Sequence, residues 1–204
     1  MAVLLHIDAS PRTASVSSRL AAKYVDRWKR RTPDGTVVYH NTSREGIEYL
    51  NEAMVEGFFA PAAQLDERLR CALRCSDEFV DELLAADVVV IGAPMWNLGI
   101  PASLKAWIDM IVRERRTFEF AEEGVRPLVP AGKRVFVFSA RGGAYGDGTG
   151  YERFDFFEPY LRAILGSIGL TEIGFVYAEN QSSCVEAAAE GLTRAMRGVE
   201  ALRV

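Results

Sequence analysis

Serine hydroxyls are concentrated in one stretch near the amino terminus, between an apolar run at residues 3–7 and the start of a helical pattern. The four residues are Ser10, Ser15, Ser17 and Ser18. A helix start offers unpaired N–H groups and the positive end of the helix dipole, which together bind phosphate. Capping this helix would need only one serine, so four hydroxyls favour a phosphate site.

The spacing of the glycines excludes two common nucleotide-binding motifs. The Gly-x-x-x-x-Gly-Lys-Ser/Thr motif is absent, because Gly132 and Lys133 are followed by arginine and lead into a strand. The dinucleotide fingerprint Gly-x-Gly-x-x-Gly is also absent after the first apolar run. We therefore expect a monophosphate.

Two later stretches could hold a planar ring. Met95 and Trp96 form a flat apolar wall, and Asn97 beside them carries a hydrogen-bond donor and an acceptor. Residues 139–150 are rich in glycine, whose backbone N–H groups can approach a ligand closely. A phosphate at one end and a planar heterocycle at the other describe the flavin mononucleotide FMN.

The fold must bring these stretches together. An unbroken apolar, β-branched run at residues 88–91 is typical of a strand that is covered on both faces of a parallel sheet. Alternating patterns predict an α/β fold, a flavodoxin-like, doubly wound, five-stranded parallel sheet in the order 2-1-3-4-5. The strands are expected at residues 3–7, 36–39, 88–91, 135–138 and 173–177. Strands 1, 3 and 4 are then neighbours, so the three stretches should meet at one edge.

Several connecting segments are also predicted. Residues 117–120 alternate like a strand, and a turn at Glu123 and Gly124 would let residues 128–129 return as its partner, giving a small hairpin insertion near 117–129. Residues 43–64 suggest a short helix and then an apolar loop, in which Phe58 and Phe59 pack internally or against a partner or ligand. Residues 65–84 predict a long helix, and Pro159 is expected to open another.

Bulk properties limit the partners and the location. At 204 residues the chain is expected to form one domain, residues 1–204. A net charge of −4 argues against a nucleic-acid or membrane surface. Three cysteines and the lack of a signal peptide predict reduced thiols in a cytoplasmic protein. Cys71 and Cys75 lie four residues apart, but with only two histidines in the chain we expect no metal site.

The residues also argue against other chemistries of this fold class. Asp8 follows the first strand, but a receiver domain needs its phospho-acceptor after the third strand, where Gly92 stands. A phosphatase of the Asp-x-Asp type fails because Asp8 is followed by Ala9 and Ser10. No triad or pair of carboxylates is evident, so we assign no catalytic residue. This absence fits a cofactor that carries the chemistry itself.

Three motifs carry a family resemblance. They are Ser-Pro-Arg-x-x-x-Ser-x-Ser after the first strand, Ala-Pro-Met-Trp-Asn-Leu-Gly-Ile-Pro-x-x-Leu-Lys-x-Trp-Ile-Asp, and Ala-Arg-Gly-Gly-x-Tyr. Over residues 2–180 the chain resembles the FMN-dependent NADH:quinone oxidoreductase and azoreductase family. The resemblance implies transfer of two electrons from NADH or NADPH through FMN to a quinone or azo compound. We expect ping-pong kinetics, because a ring with one face covered by protein leaves a single open face for donor and acceptor. The apolar hairpin at residues 118–120 predicts a homodimer, and the resemblance implies that its subunits share active sites.

The resemblance implies a set of binding residues as well. The FMN-binding positions would be Ser10, Ser15, Val16, Ser17, Pro94, Met95, Trp96, Asn97, Leu98, Ser139, Ala140, Arg141, Gly142, Gly143 and Tyr145. Phe118, Trp96 and Tyr145 would face the substrate. Two departures from the family, Trp96 in place of tyrosine and Ile164 in place of an aromatic, alter the substrate cavity. The alternative function is an FMN-binding electron carrier or regulator with no substrate of its own, which would be more acidic and would lack the hairpin.

Overall fold

The computed structural model describes residues 1–204 and contains a five-stranded parallel sheet. Its strands are β1 (Val3–Asp8), β2 (Thr36–Asn41), β3 (Val88–Pro94), β6 (Arg134–Ala140) and β7 (Glu172–Ala178). They lie in the order β2-β1-β3-β6-β7, which confirms the predicted 2-1-3-4-5 arrangement of a flavodoxin-like fold. A separate antiparallel pair, β4 (Phe118–Ala121) and β5 (Gly124–Pro127), forms the small hairpin.

Helices cover both faces of the sheet and create two apolar layers. One face packs against α1 (Val16–Arg31) and α6 (Val185–Ala201). The other face packs against α2 (Glu52–Phe59), α3 (Glu67–Ala85), α4 (Ala102–Ile111) and α5 (Glu158–Ser167). Short 3-10 turns occupy Ala62–Gln64 and Glu152–Phe154. None of the helices combines the length and the apolar character needed to cross a membrane.

The central strand β3 is buried along its whole length. Its Ile91 is paired with Ile7 of β1 on one side and Val137 of β6 on the other. Gly92 lets α1 lie close, because a Cβ at this position would come 3.1 Å from the Cβ of Ala21. An apolar strand between two helical layers explains why the run at residues 88–91 has no polar alternation.

Two predicted details are wrong. The hairpin partner of β4 is Gly124–Pro127 rather than residues 128–129. Leu128 and Val129 follow the strand and lead back towards the core, where Val129 is buried and its N–H donates to the carbonyl of Ile168 at 3.2 Å. The short helix α2 begins only at Glu52, capped by Asn51, whereas residues 42–50 form turns and irregular structure.

Candidate cofactor and substrate site

Three loops meet at the carboxyl edge of the sheet, as the strand order predicts. The first follows β1, the second follows β3 and the third follows β6. The N–H of Ala9 donates to the carbonyl of Gly92 at 2.8 Å, which joins the first loop to the end of β3, just before the second loop. The N–H of Met95 donates to the carbonyl of Ala140 at 2.9 Å, which joins the second and third. The residues with unusual chemistry therefore belong to one connected rim.

The first loop places three buried serines at the start of α1. Ser15 caps the helix, because its Oγ accepts from the N–H of Ser18 at 3.3 Å. The Oγ atoms of Ser15 and Ser17 are 3.0 Å apart, and the Oγ of Ser10 accepts from the N–H of Arg12 at 3.4 Å. Ser18 differs, since its hydroxyl donates to Asp8 at 2.8 Å. Ser15 and Ser17 therefore lie at the amino end of a sixteen-residue helix, and Ser10 is tied to that end because its N–H donates to the same Asp8 oxygen, at 3.1 Å.

The second loop is a tight two-residue turn. Trp96 and Gly99 exchange two backbone hydrogen bonds of 3.0 Å, and Asn97 and Leu98 between them have φ angles of +49° and +69°. Two left-handed residues in a row define a type I′ turn. Asparagine adopts this backbone conformation readily, whereas for leucine it is strained. The strain is offset by outside contacts, among them a 3.1 Å hydrogen bond from the N–H of Phe156 to the carbonyl of Leu98.

The third loop is held from behind by the segment after β7. The carbonyls of Arg141, Gly142 and Gly143 accept from the N–H groups of Gln181, Ser182 and Asn180 at 2.9–3.2 Å. The N–H of Tyr145 donates to the Oε1 of Glu179 at 3.2 Å. Because these three carbonyls and the N–H of Tyr145 all bind to residues 179–182, that segment fixes the conformation of the third loop.

Several donors around these loops have no partner in the protein. The backbone N–H groups of Asn97, Leu98, Gly142 and Gly143 make no hydrogen bond to protein groups. The buried Oγ of Ser139 and two nitrogens of the Arg141 guanidinium, Nε and Nη2, are also unpartnered. The four N–H groups belong to exposed or half-buried residues, so they are open to a ligand that carries carbonyl and ring-nitrogen acceptors. A flavin ring has such acceptors along its edge.

Arg141 is the most heavily buried cation of the site, with 1% of its surface exposed. Its Nη1 lies 3.0 Å from Oδ2 of Asp155, and its guanidinium carbon stacks 3.4 Å above the ring centroid of Tyr177. The hydroxyl of Tyr177 donates to Glu158. Burial, followed by this hydrogen bond, raises the pKa of Tyr177 far above its ordinary value, so the phenol stays neutral.

Comparison with known proteins agrees with this arrangement. The sequence profile of the flavodoxin-like fold family matches residues 2–202. An FMN-dependent NADH:quinone oxidoreductase from Nostoc sp. is 41% identical over 181 residues, covering 88% of this chain and 87% of the relative. A second, from Trichormus variabilis, is 44% identical over 178 residues, covering 87% and 84%. This chain belongs to the family of FMN-dependent NADH:quinone oxidoreductases.

A solved structure supports the same family fold. The azoreductase from Bacillus anthracis str. Sterne superposes with a TM-score of 0.85 at 28% identity, covering 99% of this chain and all of that one (100%). The profile of the flavodoxin-like fold family extends past β7 and includes the whole of α6. The match therefore accounts for almost the whole chain.

A cavity of about 750 Å³ opens beside the type I′ turn. It is lined on one side by Trp96 and Asn97 and on the other by Phe156, Pro159 and Tyr160. Trp96 is 44% exposed and lies open to this space. The cavity is mainly apolar, which suits a flat aromatic substrate of a quinone oxidoreductase.

Of the other residues predicted to bind cofactor or substrate, all but Phe118 lie at the three loops. Pro94 and Met95 are buried at the end of β3, Val16 is the first residue of α1, and Tyr145 packs beside Gly143. Phe118 is separate from them. It begins the hairpin that follows α4 and precedes β6, on the side of the amino ends of the strands, and it does not line the cavity beside the type I′ turn. One chain therefore does not bring Phe118 to the three loops.

A second cavity, of about 790 Å³, lies elsewhere, between α2, α3 and the segment after β2. It contains none of the predicted binding residues. Two of its polar groups are already engaged, since Nδ1 of His40 lies 2.9 Å from Oε2 of Glu45. The unpartnered donors of the carboxyl edge are a stronger indication of the cofactor site than volume alone.

Sequence reasoning missed Asp155 and the segment after β7. Asp155 had a sequence signature, because an Asp-x-x-Glu run before Pro159 is typical of a helix start. Its Oδ1 does accept from the N–H groups of Phe157 and Glu158, at 2.9 and 3.1 Å. Its contact with Arg141 had no such signature.

Proposed function

We propose that this chain is an FMN-dependent NAD(P)H:quinone oxidoreductase that also reduces azo compounds. The observation that carries the proposal is the set of free donors on two loops, at the same sheet edge as the start of α1. Bound FMN would supply the hydride chemistry, and the protein would bind and orient it. The family's enzyme name points the same way.

The phosphate would bind at the start of α1. Ser10, Ser15 and Ser17 supply hydroxyls, and the first turn, from Val16, supplies N–H groups and the positive end of the dipole. No lysine or arginine is needed there, since Arg12 is exposed.

The ring would lie between the second and third loops. Pro94, Met95, Trp96, Asn97 and Leu98 would form one side of its pocket. The other side would be formed by Ser139, Ala140, Arg141, Gly142, Gly143 and Tyr145. The free N–H groups of Asn97, Leu98, Gly142 and Gly143 would hydrogen-bond the polar edge of the ring.

Donor and acceptor would use one binding space in turn. The cavity beside Trp96 is an open space next to the proposed ring site, and we expect the protein to cover the other face of the ring. NADH or NADPH would bind, release its oxidised form and be replaced by the quinone or azo compound. No side chain is assigned as an acid or base.

The first test is the absorption spectrum of the purified protein, followed by a steady-state assay of NADH and NADPH oxidation with a quinone. We expect flavin bands and parallel lines when quinone is varied at several donor concentrations. A flavin spectrum without turnover would favour an electron carrier or regulator. A colourless protein that does not take up added FMN would refute the proposal.

The proposal includes a homodimer of single-domain chains, each comprising residues 1–204. Phe118 can take part in substrate binding only if a second subunit brings its hairpin to the site. Phe59 and Phe120 are 54% and 65% exposed, as expected of contact residues, whereas Phe58 is buried beneath Arg113 and is not available.

The proposed setting is the cytoplasm, with small molecules as the substrates and neither nucleic acid nor a membrane as a partner. The net charge of −4 supports this setting, because both surfaces favour basic proteins. The three cysteines, Cys71, Cys75 and Cys184, are unpaired thiols, which suits a reducing compartment.

A further inference from the structure

Asp155 lies at the junction of the two loops that are proposed to hold the flavin ring. Its Oδ2 is 3.0 Å from Nη1 of Arg141 in the third loop. The next residue, Phe156, donates its N–H to the carbonyl of Leu98 in the second loop at 3.1 Å. The Asp155 side chain is 12% exposed and Arg141 is 1% exposed, so water competes little with the ion pair.

These contacts close a triangle of three chain segments. The second and third loops are joined directly by the hydrogen bond from Met95 to Ala140, at 2.9 Å. Residues 155–156 join each of them separately, through Arg141 and through Leu98. In a closed triangle each link limits the motion that the other two would allow, so the loss of the link between Asp155 and Arg141 lets the third loop move relative to the other two segments.

The two oxygens of Asp155 have different tasks. Oδ1 accepts from the N–H groups of Phe157 and Glu158 and so fixes the start of α5. Oδ2 faces the guanidinium of Arg141, whose other nitrogens, Nε and Nη2, have no protein partner. A buried cation without a counter-charge is costly, so Asp155 also sets the electrostatics of the third loop.

We propose that Asp155 is a positioning residue for the cofactor: through Arg141 and Phe156 it fixes the relative placement of the two ring-binding loops and neutralises the cation beside them. This inference rests on the proposed FMN site. It assigns to Asp155 a role beyond capping α5, and the two roles can be separated by substitution.

Asp155→Asn is the decisive variant. Its single side-chain oxygen can still accept from Phe157 and Glu158, whereas the NH₂ group that replaces Oδ2 is a donor and repels the guanidinium. Asp66→Asn is the matched control, because Oδ1 of Asp66 caps α3 by accepting from the N–H of Leu69 at 2.8 Å, on an element outside the three loops. A role in capping alone would make the two variants behave alike.

Three readouts are needed, all on the full chain. FMN affinity is measured by flavin fluorescence, and the flavin midpoint potential is measured on the FMN-loaded enzyme. Amide hydrogen exchange of residues 95–99 and 139–145 is measured without FMN. For Asp155→Asn we expect FMN affinity to fall about tenfold or more, as for a lost contact with a charged group. We also expect faster exchange in both loops and a more positive potential, because an uncompensated cation favours a ring that gains negative charge.

The inference is overturned if the potential stays at the wild-type value, if FMN affinity changes by less than about twofold, or if exchange rises only at the start of α5. If Asp155→Asn does not fold, the charge-balanced double variant Asp155→Asn/Arg141→Gln takes its place, with Arg141→Gln as its reference. If the wild-type chain binds no FMN, the proposed function fails, while the exchange measurement still tests the link between the loops.

Discussion

Ser17 is the residue at which a phosphate site and ordinary helix capping make different predictions. The cap of α1 is Ser15, which accepts from the N–H of Ser18. Ser17 is fully buried, and its hydroxyl meets only that of Ser15 among the protein side chains. Its hydroxyl is therefore not needed to form the helix.

We expect Ser17→Ala to weaken FMN binding while leaving the fold intact. A hydrogen bond to a charged group contributes about 1.5–3 kcal/mol, which corresponds to roughly a tenfold to hundredfold loss of affinity. Arg12→Ala is the comparison, since this exposed cation is expected to contribute little. Flavin fluorescence titration measures both, with circular dichroism as the check on folding. A larger loss for Arg12→Ala than for Ser17→Ala would place the phosphate elsewhere.

The pKa values of the two histidines are shifted in opposite directions. Burial lowers the pKa of His6 to about 4, against the opposing charge of Asp8. Burial also acts to lower the pKa of His40, but hydrogen bonds and charges of Glu45 and Glu82 outweigh it and raise the value. Protonated His40 bridges Glu45, at 2.9 Å, and Glu82, at 2.8 Å, and so ties the segment after β2 to α3.

We expect His40→Gln to destabilise the protein in a pH-dependent way. Because the folded pKa is raised, the contribution of His40 is complete below the ordinary value of about 6.5 and is lost as the pH rises through the folded value. The variant should therefore lose about 0.5–1 kcal/mol on the acidic side and much less at alkaline pH. Urea unfolding of both proteins across this range tests the expectation, and a difference independent of pH would contradict it.

At the scale of elements, the glycine with the least room for a side chain is Gly191, where α6 meets the segment after β7. A Cβ at Gly191 would lie 2.1 Å from the carbonyl oxygen of Glu179, which is backbone and cannot turn aside. The same segment supports the third loop, through the bond from Tyr145 to Glu179. Contact between α6 and this segment therefore helps to place the proposed ring site.

We expect Gly191→Ala to cost about 1–3 kcal/mol of stability, as is typical when a packed contact is overfilled. Gly198→Ala in the same helix is the control. Its Cβ would meet a side-chain methyl of Val176 at 3.2 Å, and the gain in helix propensity offsets this tight contact. Thermal unfolding of the two variants gives the comparison. Equal stabilities would show that α6 can move away from residue 179 without penalty.

The sequence predicted those elements whose burial leaves a clear apolar pattern. All five strands of the sheet were located, because each has a run of apolar residues that meets a helical layer. The return strand of the hairpin was misplaced because β5 is exposed along its whole length and has no apolar alternation. The start of α2 was misplaced because hydrogen bonds of His40 and Asn41 to Glu45 hold the preceding segment in turns.

The sequence also predicted part of the candidate site. Strand order alone brings the three loops together, so their meeting could be predicted from the sequence. The pairing of Arg141 with Asp155 could not, because nothing in a glycine-rich loop indicates that its cation will be buried. Nor does the sequence pattern reveal that the N–H groups of residues 180–182 bind the carbonyls of the third loop, because the two segments are far apart in the chain.

At the scale of the whole molecule, two of the exposed aromatic side chains lie on neighbouring elements. Phe59 and Phe120 lie on α2 and on the hairpin, which are linked by Arg115, whose guanidinium donates to the carbonyls of Phe59 and Ala60 at 3.1–3.4 Å. Large exposed apolar patches usually mark a contact with another molecule. The hairpin and α2 are therefore the expected parts of a surface between two copies.

We expect the wild-type chain to sediment as a dimer of its 22.6 kDa subunit. Phe120→Asp should weaken the dimer and lower quinone reduction together, because a charge would be buried at the contact and the partner's hairpin would leave the site. Val185→Asp is the control: Val185 is 80% exposed in the first turn of α6, where a carboxylate suits the helix dipole. Analytical ultracentrifugation and a quinone assay at matched concentrations provide the measurement. A wild-type monomer with full activity would refute the shared site, and so would a Phe120→Asp monomer that keeps it.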